Sequence, residues 1–94
     1  YLSESLTKKY HGSEKPHVRM TRRVVDPARL SEITIVTSSH QHTDHLDSET
    51  LAAIVTHNPS MSFVCPHAWR ELAEERLGRA PDVLLDAGES VRID

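Results

Sequence analysis

Residues 33–45 read ITIVTSSHQHTDH, an apolar run rich in β-branched side chains followed directly by a polar run with three histidines and one aspartate. Because β-branched residues favour strands, residues 33–38 are predicted to form a buried strand. The polar residues then fall in the loop at its carboxyl end. Ligands of open α/β sheets bind at that edge, so this loop is the first candidate for a functional site.

The loop carries four side chains that can bind metal ions, His40, His42, Asp44 and His45. Side chains two positions apart on an extended segment project the same way, so the first two histidines are predicted to hold one ion, while Asp44 and His45 reach a second. Neutral imidazole and carboxylate suit Zn, Fe, Mn or Co. Two ions about 3.5–4 Å apart can share a hydroxide that attacks a carbonyl or phosphoryl centre, which predicts hydrolysis. The simpler alternative is a polar loop whose histidines are only solvated.

The rest of the chain predicts an α/β fold with the element order β-α-β-α-β-β. A helix is expected at residues 49–57, with Asp47 or Ser48 as its cap and Asn58-Pro59 after its end. The remaining predicted elements are a strand at residues 62–65, a helix that opens at Pro66 and closes at Gly78, and strands at residues 83–85 and 90–93 around a turn at residues 87–89.

Both predicted helices carry an apolar stripe at helical spacing, and each stripe is expected to pack on the sheet. Trp69 is expected to be part of the core that forms there. Cys65 lies in a short apolar strand and is interpreted as a packing residue rather than a nucleophile. The two stripes consist of Leu51, Ala52, Ile54 and Val55 in the first helix, and Trp69, Leu72, Ala73 and Leu77 in the second.

Charge divides the chain into two parts. Residues 1–31 carry seven Lys and Arg against three acidic residues, whereas residues 32–94 carry four against eleven. The first part lacks periodicity and is predicted to be an irregular basic segment, with a helical turn at residues 2–9. Its arginines, such as Arg19, Arg22 and Arg23, could attract a phosphorylated substrate, although ordinary surface charge explains them more simply. The acidic excess beyond residue 31 argues against nucleic acid as the main partner.

The apolar runs, the single cysteine and the two ends of the sequence give expectations about the location and extent of the protein. It contains no apolar run long enough to span a bilayer and no recognisable secretory signal, so no membrane partner is expected. Its single cysteine, Cys65, cannot form an internal disulfide, which fits a cytoplasmic location. The chain starts at Tyr1 without a methionine and stops at Asp94 within a strand pattern, and residues 1–94 are therefore interpreted as a fragment of a single domain.

Two other histidines have simple structural explanations. His67 follows Pro66 near a strand end and could line the same cleft, but the start of a helix explains it more simply. His57 lies at a helix carboxyl end, where the helix dipole favours imidazolium. Neither is predicted to bind metal.

Residues 40–47, His-Gln-His-Thr-Asp-His-Leu-Asp, resemble the H-x-H-x-D-H signature of the metallo-β-lactamase superfamily. Three flanking stretches look like the branch that contains L-ascorbate-6-phosphate lactonase and related lactonase-like hydrolases. They are Val-Asp-Pro at residues 25–27, Phe-Val-Cys-Pro at 63–66 and Ala-Gly-Glu-Ser-Val at 87–91. Phosphodiesterases acting on N-acyl phosphatidylethanolamines share the run at residues 40–47.

The resemblance implies a four-layer αβ/βα sandwich, of which this chain supplies part. It implies that His40 and His42 bind one ion and that Asp44 and His45 bind the other, both ions being Zn or Mn. The family's later His, bridging Asp and final His have no matching position here, so the chain alone is expected to be inactive.

The implied activity is hydrolysis of a small lactone, which could be phosphorylated, by a metal-bound hydroxide that Asp44 orients. The alternatives are a phosphodiesterase of the same superfamily and a metal-binding fragment without turnover. Native metal, substrate and oligomeric state stay open.

Overall fold

The chain folds into a small mixed α/β unit in the computed structural model, which describes residues 1–94. It contains three parallel strands and three α-helices, together with two short 3₁₀ turns at Pro27–Arg29 and His67–Trp69. The predicted fold class is therefore confirmed at the level of α/β. In chain order the elements are α1 (Ser5–Lys9), β1 (Ile35–Thr37), α2 (Ser48–His57), β2 (Ser62–Cys65), α3 (Arg70–Leu77) and β3 (Val83–Leu84).

The sheet has the strand order β1-β2-β3, and every neighbouring pair is parallel. Helices α2 and α3 make the two crossover connections that parallel neighbours require. The register places Val36 beside Phe63 and Cys65 beside Leu84. The carboxyl ends of all three strands consequently lie at one edge of the sheet.

The predicted final strand at residues 90–93 is wrong: after α1 the elements follow the order β-α-β-α-β, and no strand comes after β3. The turn before it does form, since Gly88 has a φ of 87° and the Glu89 amide donates to the Asp86 carbonyl at 3.0 Å. Beyond that turn Val91 is exposed, and residues 90–93 pair with no strand. β3 is only two residues long, which leaves little edge for a further strand to pair with.

Helix α2 begins one residue earlier than predicted and is capped as expected. The Asp47 carboxylate accepts the Thr50 amide at 3.3 Å, which satisfies one of the unpaired donors of the first turn. Leu51 and Ile54 are buried, but Ala52 is exposed, so its assignment to the inward stripe is wrong. A residue directly after Leu51 is rotated about 100° around the helix, away from the sheet.

The core lies on one face of the sheet, around the side chain of Phe63, which has no exposed surface. The predicted buried strand at residues 33–38 is shorter and more exposed than expected, because β1 is an edge strand. Ile35, on the face opposite the core, is 45% exposed. The core cluster consists of Leu46, Leu51, Met61, Phe63, Cys65, Ala73 and Leu77, with Val36, Val55, Leu72 and Leu84 packed against it.

Trp69 does not belong to this core, contrary to the prediction. Pro66 is followed by the 3₁₀ turn, and α3 starts only at Arg70, so the indole lies outside the regular helical stripe and stays partly exposed. Ala73 and Leu77 are buried as predicted. Gly78 ends α3 with a φ of 83°, a left-handed conformation that glycine adopts without strain.

The basic segment at residues 1–31 is mostly irregular, as predicted, apart from α1 and the first 3₁₀ turn. Cys65 is buried, and this burial raises the pKa of its thiol, which fits a packing role. None of the helices has the length and apolar composition needed to cross a membrane.

Replacing Phe63 by alanine should lower the free energy of unfolding by about 3–5 kcal/mol, since it leaves a cavity at the centre of the core. Trp69→Ala is the matched control and should cost less than about 2 kcal/mol, because the indole is already partly solvated. Urea denaturation measures both. A loss for Trp69→Ala as large as that for Phe63→Ala would contradict this description of the core.

Candidate functional site

The histidine loop, residues 38–47, leaves the carboxyl end of β1 and closes into a tight turn. The Ser38 amide donates to the Val64 carbonyl at 3.0 Å and so extends the pairing with β2. Further on, the His45 and Leu46 amides both donate to the His42 carbonyl at 2.8 Å. This turn brings side chains that are separated in sequence to the same side of the loop.

The hydroxyl of Ser38 joins the start of the loop to its end. Its Oγ lies 2.7 Å from the His45 carbonyl oxygen and 3.3 Å from that of His40. A hydroxyl has one proton to donate, and the shorter distance assigns it to the His45 carbonyl. Ser38 is itself buried, so this bond is shielded from water.

Arg76 holds the same loop from helix α3. Its Nη1 donates to the Gln41 carbonyl at 2.6 Å and to the Leu46 carbonyl at 3.0 Å. Sequence reasoning did not identify this residue. The available signal was its position on the inward face of α3 between Ala73 and Leu77, where a charged side chain needs a polar partner.

Asp47 ends the loop as a buried carboxylate, 6% exposed, and connects it to the amino-terminal segment. It accepts hydrogen bonds from the hydroxyls of Ser5, at 2.8 Å, and of Thr50. Burial raises the pKa of this carboxyl, but the hydroxyls of Ser3, Thr50 and Ser5 and the Thr50 amide outweigh it, so the pKa is lower than usual. Asp47 therefore stays ionised at neutral pH.

Helix α1 lies against the histidine loop and the first turn of α2 through contacts at its carboxyl end. The ammonium of Lys8 pairs with Glu49, and the Lys9 ammonium donates to the Thr43 hydroxyl at 3.3 Å. Both contacts are exposed and individually weak. Together with Asp47 they place the basic segment beside the histidines.

The structure brings the three predicted histidines together. The ring centroid of His40 is 4.7 Å from that of His42, edge to face, and 4.1 Å from that of His45, tilted by 37°. The Ser39 hydroxyl lies 2.9 Å from His40 Nδ1. Partial burial, then the neighbouring rings of His45 and His42, lower the pKa of His40, against an opposing effect of Asp44. A lowered pKa keeps this imidazole neutral, the form that binds metals.

Asp44 belongs to the same group but contacts only one histidine. Its Oδ2 is 3.5 Å from His45 Nε2, and both side chains are about half exposed. This distance is at the limit of a hydrogen bond, so the two side chains are held loosely.

The chemistry of these four side chains suits a divalent cation, while their present orientations do not surround one. No group of three or more His, Cys, Asp or Glu side chains in the structure is arranged to hold a metal ion. His40, His42 and His45 pack against one another instead of pointing at a common centre. Because the side chains are partly exposed, rotation about their χ angles could bring the nitrogens onto an ion without a change in the core.

His57 and His67 lie apart from this group. His67 is exposed, its Nδ1 is 3.1 Å from Asp86 Oδ2, and its amide donates to Asp86 Oδ1 at 3.1 Å. This pair ties the carboxyl ends of β2 and β3 together. His57 is exposed at the end of α2, with Nδ1 2.9 Å from the Ala53 carbonyl oxygen. Asp86 was not singled out from the sequence, since nothing local distinguishes it.

We compared the chain with protein-family models, curated proteins and solved structures. No protein-family model matches it, and neither a curated protein nor a solved structure shows significant similarity to it.

Replacing Asp47 by alanine should lower the free energy of unfolding by about 1–2 kcal/mol, because the cap of α2 and the acceptor of the Ser5 hydroxyl are lost together. The measurement is chemical denaturation in the presence of a chelator, which keeps metal binding out of the result. A loss below about 0.5 kcal/mol would contradict the capping role.

The pH dependence of stability tests the same carboxylate. Its pKa is lower in the folded chain than in the unfolded chain, where aspartate titrates near about 3.9, so its stabilising effect is present above about pH 4 and is lost as the pH falls through the folded value. Asp47→Asn should therefore flatten the loss of stability on acidification. Asp94→Asn is the control, since that carboxylate is exposed and pairs only with Arg92, and it should leave the wild-type slope unchanged.

Proposed function

We propose that this chain is the metal-binding part of a metal-dependent hydrolase of the metallo-β-lactamase superfamily that opens small lactones. One observation carries the proposal: the rings of His40, His42 and His45 are in contact at the carboxyl end of β1, with Asp44 beside them. Such a group of imidazoles with one carboxylate is a common ligand set for divalent metals.

In this proposal His40 and His42 hold one ion, and Asp44 and His45 hold a second, both Zn or Mn. Two protein ligands are fewer than the three that catalytic sites commonly use, so each ion needs at least one further ligand. When bound, the ions would supply a nucleophile at neutral pH and polarise the substrate's carbonyl oxygen.

The sheet supports the further proposal that these residues form part of an αβ/βα sandwich. The core covers one face of the sheet, while Ile35 on the other face is 45% exposed. Parallel sheets are almost always covered on both faces. A second layer packed on the Ile35 face would bury that surface and could carry the additional ligands.

The chain's own residues would then bind and orient a small substrate. A cleft of about 350 Å³ opens beside His42 and Asp44, with Lys9 and Tyr10 on its other side. The Lys9 ammonium would attract an anionic group of the substrate, a phosphate included. Asp44 would orient the attacking water through its carboxylate. The single buried thiol, Cys65, is compatible with a cytoplasmic location.

Metal binding by the 94-residue chain is the first test. Titration calorimetry should show weak Zn²⁺ binding that dialysis reverses, because each ion has only two ligands in the chain. His42→Ala and His45→Ala should reduce it further, whereas His57→Ala, on the far end of α2, should not. Equal binding by all variants would contradict the assignment, and tight binding of two ions would contradict the ligand count.

Catalysis is tested in the complete enzyme that carries this sequence. Asp44→Ala should lower kcat for lactone hydrolysis by at least about 100-fold at saturating Mn²⁺ or Zn²⁺, a loss comparable to that of one oriented transition-state contact. His67→Ala is the control and should retain most of the activity, since His67 contacts Asp86 and not the histidine loop.

Product analysis separates the lactonase from the alternatives. A lactonase yields the ring-opened acid, whereas a phosphodiesterase of the same superfamily yields an alcohol and a phosphate monoester. Metal binding without turnover of either substrate would show a metal-binding protein that is not a hydrolase. Near-wild-type turnover by Asp44→Ala would reject the two-ion assignment.

A further inference from the structure

Arg76 interrupts the apolar face of the helix on which it lies. It stands on α3 between the buried residues Ala73 and Leu77 and is itself half-buried. Its guanidinium forms no ion pair with a carboxylate. Its bonds to the histidine loop go instead to two backbone carbonyls, those of Gln41 and Leu46. The charge of this side chain is therefore directed at the backbone of the loop.

We propose that Arg76 is the positioning residue of the histidine loop. The two carbonyls that it joins bracket residues 42–45, the segment that contains His42, Asp44 and His45. The planar guanidinium is bonded to the carbonyl on each side of this segment, so it fixes the distance between the two carbonyls. The turn between them consequently has one preferred conformation. The metal-binding part of this inference rests on the proposed function, whereas the fixing of the loop does not.

The two carbonyls that Arg76 bonds lie between β1 and α2, outside any regular element. The loop is irregular, so its carbonyls have no partners in a strand ladder or a helix and need other donors. Hydrogen bonds from an ionised donor are roughly twice as strong as neutral ones. Nη1 lies 2.6 Å from the Gln41 oxygen and 3.0 Å from the Leu46 oxygen, so the first bond is short and the second has an ordinary length.

Arg76 differs in kind from Ser38, the other side chain that closes the loop. The Ser38 hydroxyl belongs to the loop and donates to the loop's own His45 carbonyl, so this bond fixes the internal shape of the loop. Arg76 comes from α3, whose residues Ala73 and Leu77 belong to the core cluster. It consequently fixes the loop relative to the core. Arg76 is not part of the core cluster, so its loss should act on the loop more than on the fold.

Amide hydrogen exchange of the 94-residue chain without metal tests the fixing of the loop. The amides of His45 and Leu46, which donate to the His42 carbonyl, should exchange at least about tenfold faster in Arg76→Met, which keeps the aliphatic stem. The Ser62 amide, bonded to the Thr34 carbonyl at 2.8 Å at the other end of the sheet, serves as the reference and should change by less than about twofold.

The matched control is Arg70→Met, which removes the same charge from the same helix at an exposed position without hydrogen bonds to the loop. It should leave the His45 and Leu46 amides unchanged. The inference is overturned if Arg76→Met leaves these two amides unchanged, or if it accelerates Ser62 equally, because the effect would then be absent or global.

Cobalt binding tests the consequence for the metal site. The Co²⁺ dissociation constant, followed by visible absorption, should rise about 10–100-fold in Arg76→Met, the usual effect of losing a residue that supports metal ligands. The Co²⁺ dissociation constant of Arg76→Lys should lie between those of the wild type and Arg76→Met, since an ammonium can donate to a carbonyl but lacks the planar fork of arginine. Arg70→Met should bind as the wild type does.

The two measurements separate this inference from the proposed function. If the wild-type chain binds Co²⁺ and Arg76→Met binds it equally well, the positioning role is wrong and the metal assignment stands. If the wild-type chain binds no Co²⁺, the metal assignment fails, and the exchange rates of His45 and Leu46 alone decide whether Arg76 fixes the loop.

Discussion

Strand β2 is the element on which the rest of the structure depends, because it pairs with both neighbours and supplies the centre of the core. Phe63 and Cys65 point to the helical face and are almost completely buried. The backbone of the same strand holds β1 and β3 in parallel register. Its Val64 carbonyl also accepts the Ser38 amide, which sets the point where β1 ends and the histidine loop begins. Core packing and site placement thus share one strand.

In the histidine loop, hydrogen bonds to the backbone hold the shape, and the side chains of His40 and Asp44 do not contribute to it. Its carbonyls and amides are occupied by partners inside the fold: the hydroxyl of Ser38, the guanidinium of Arg76 and the turn around the His42 carbonyl. The side chains of His40 and Asp44 remain partly or largely exposed and take no part in holding the loop. A loop whose shape does not depend on its imidazoles can change their rotamers at little cost, and a ligand-binding loop needs this property.

Local signals in the sequence predicted those features that depend on neighbouring residues. The strand at Ser62–Cys65 and the left-handed stop at Gly78 were identified correctly, since each is determined within a few positions. The cap at Asp47 was one of the two candidates that the sequence offered. The closeness of His40 and His42 also followed from their spacing, whereas the contact between His40 and His45 comes from the turn and was not predicted. Exposure of Trp69 and Ile35 was predicted wrongly, because burial depends on which surfaces meet in three dimensions.

The part of the site that the sequence did not predict is the part made by long-range contacts. Arg76 meets Gln41 across 35 positions, and Ser5 meets Asp47 across 42. Periodicity reports which side of a helix faces inward, but it does not report what that side will touch. A charged residue on an inward face is nevertheless a usable signal, because burial of its charge requires polar partners.

The exposed sheet face and the sparse ligand set have a common physical explanation under the proposed function. A metal ion with two protein ligands leaves at least half of its coordination positions to water, and a parallel sheet with Ile35 exposed leaves apolar surface in water. A second layer that covers that face would reduce the exposed apolar surface. If it also extends ligands over the carboxyl edge of the strands, fewer coordination positions are left to water. In such an arrangement Arg76 would hold the histidine loop in place before the second set of ligands meets it, so that the conformational cost of ordering the loop is not subtracted from metal affinity.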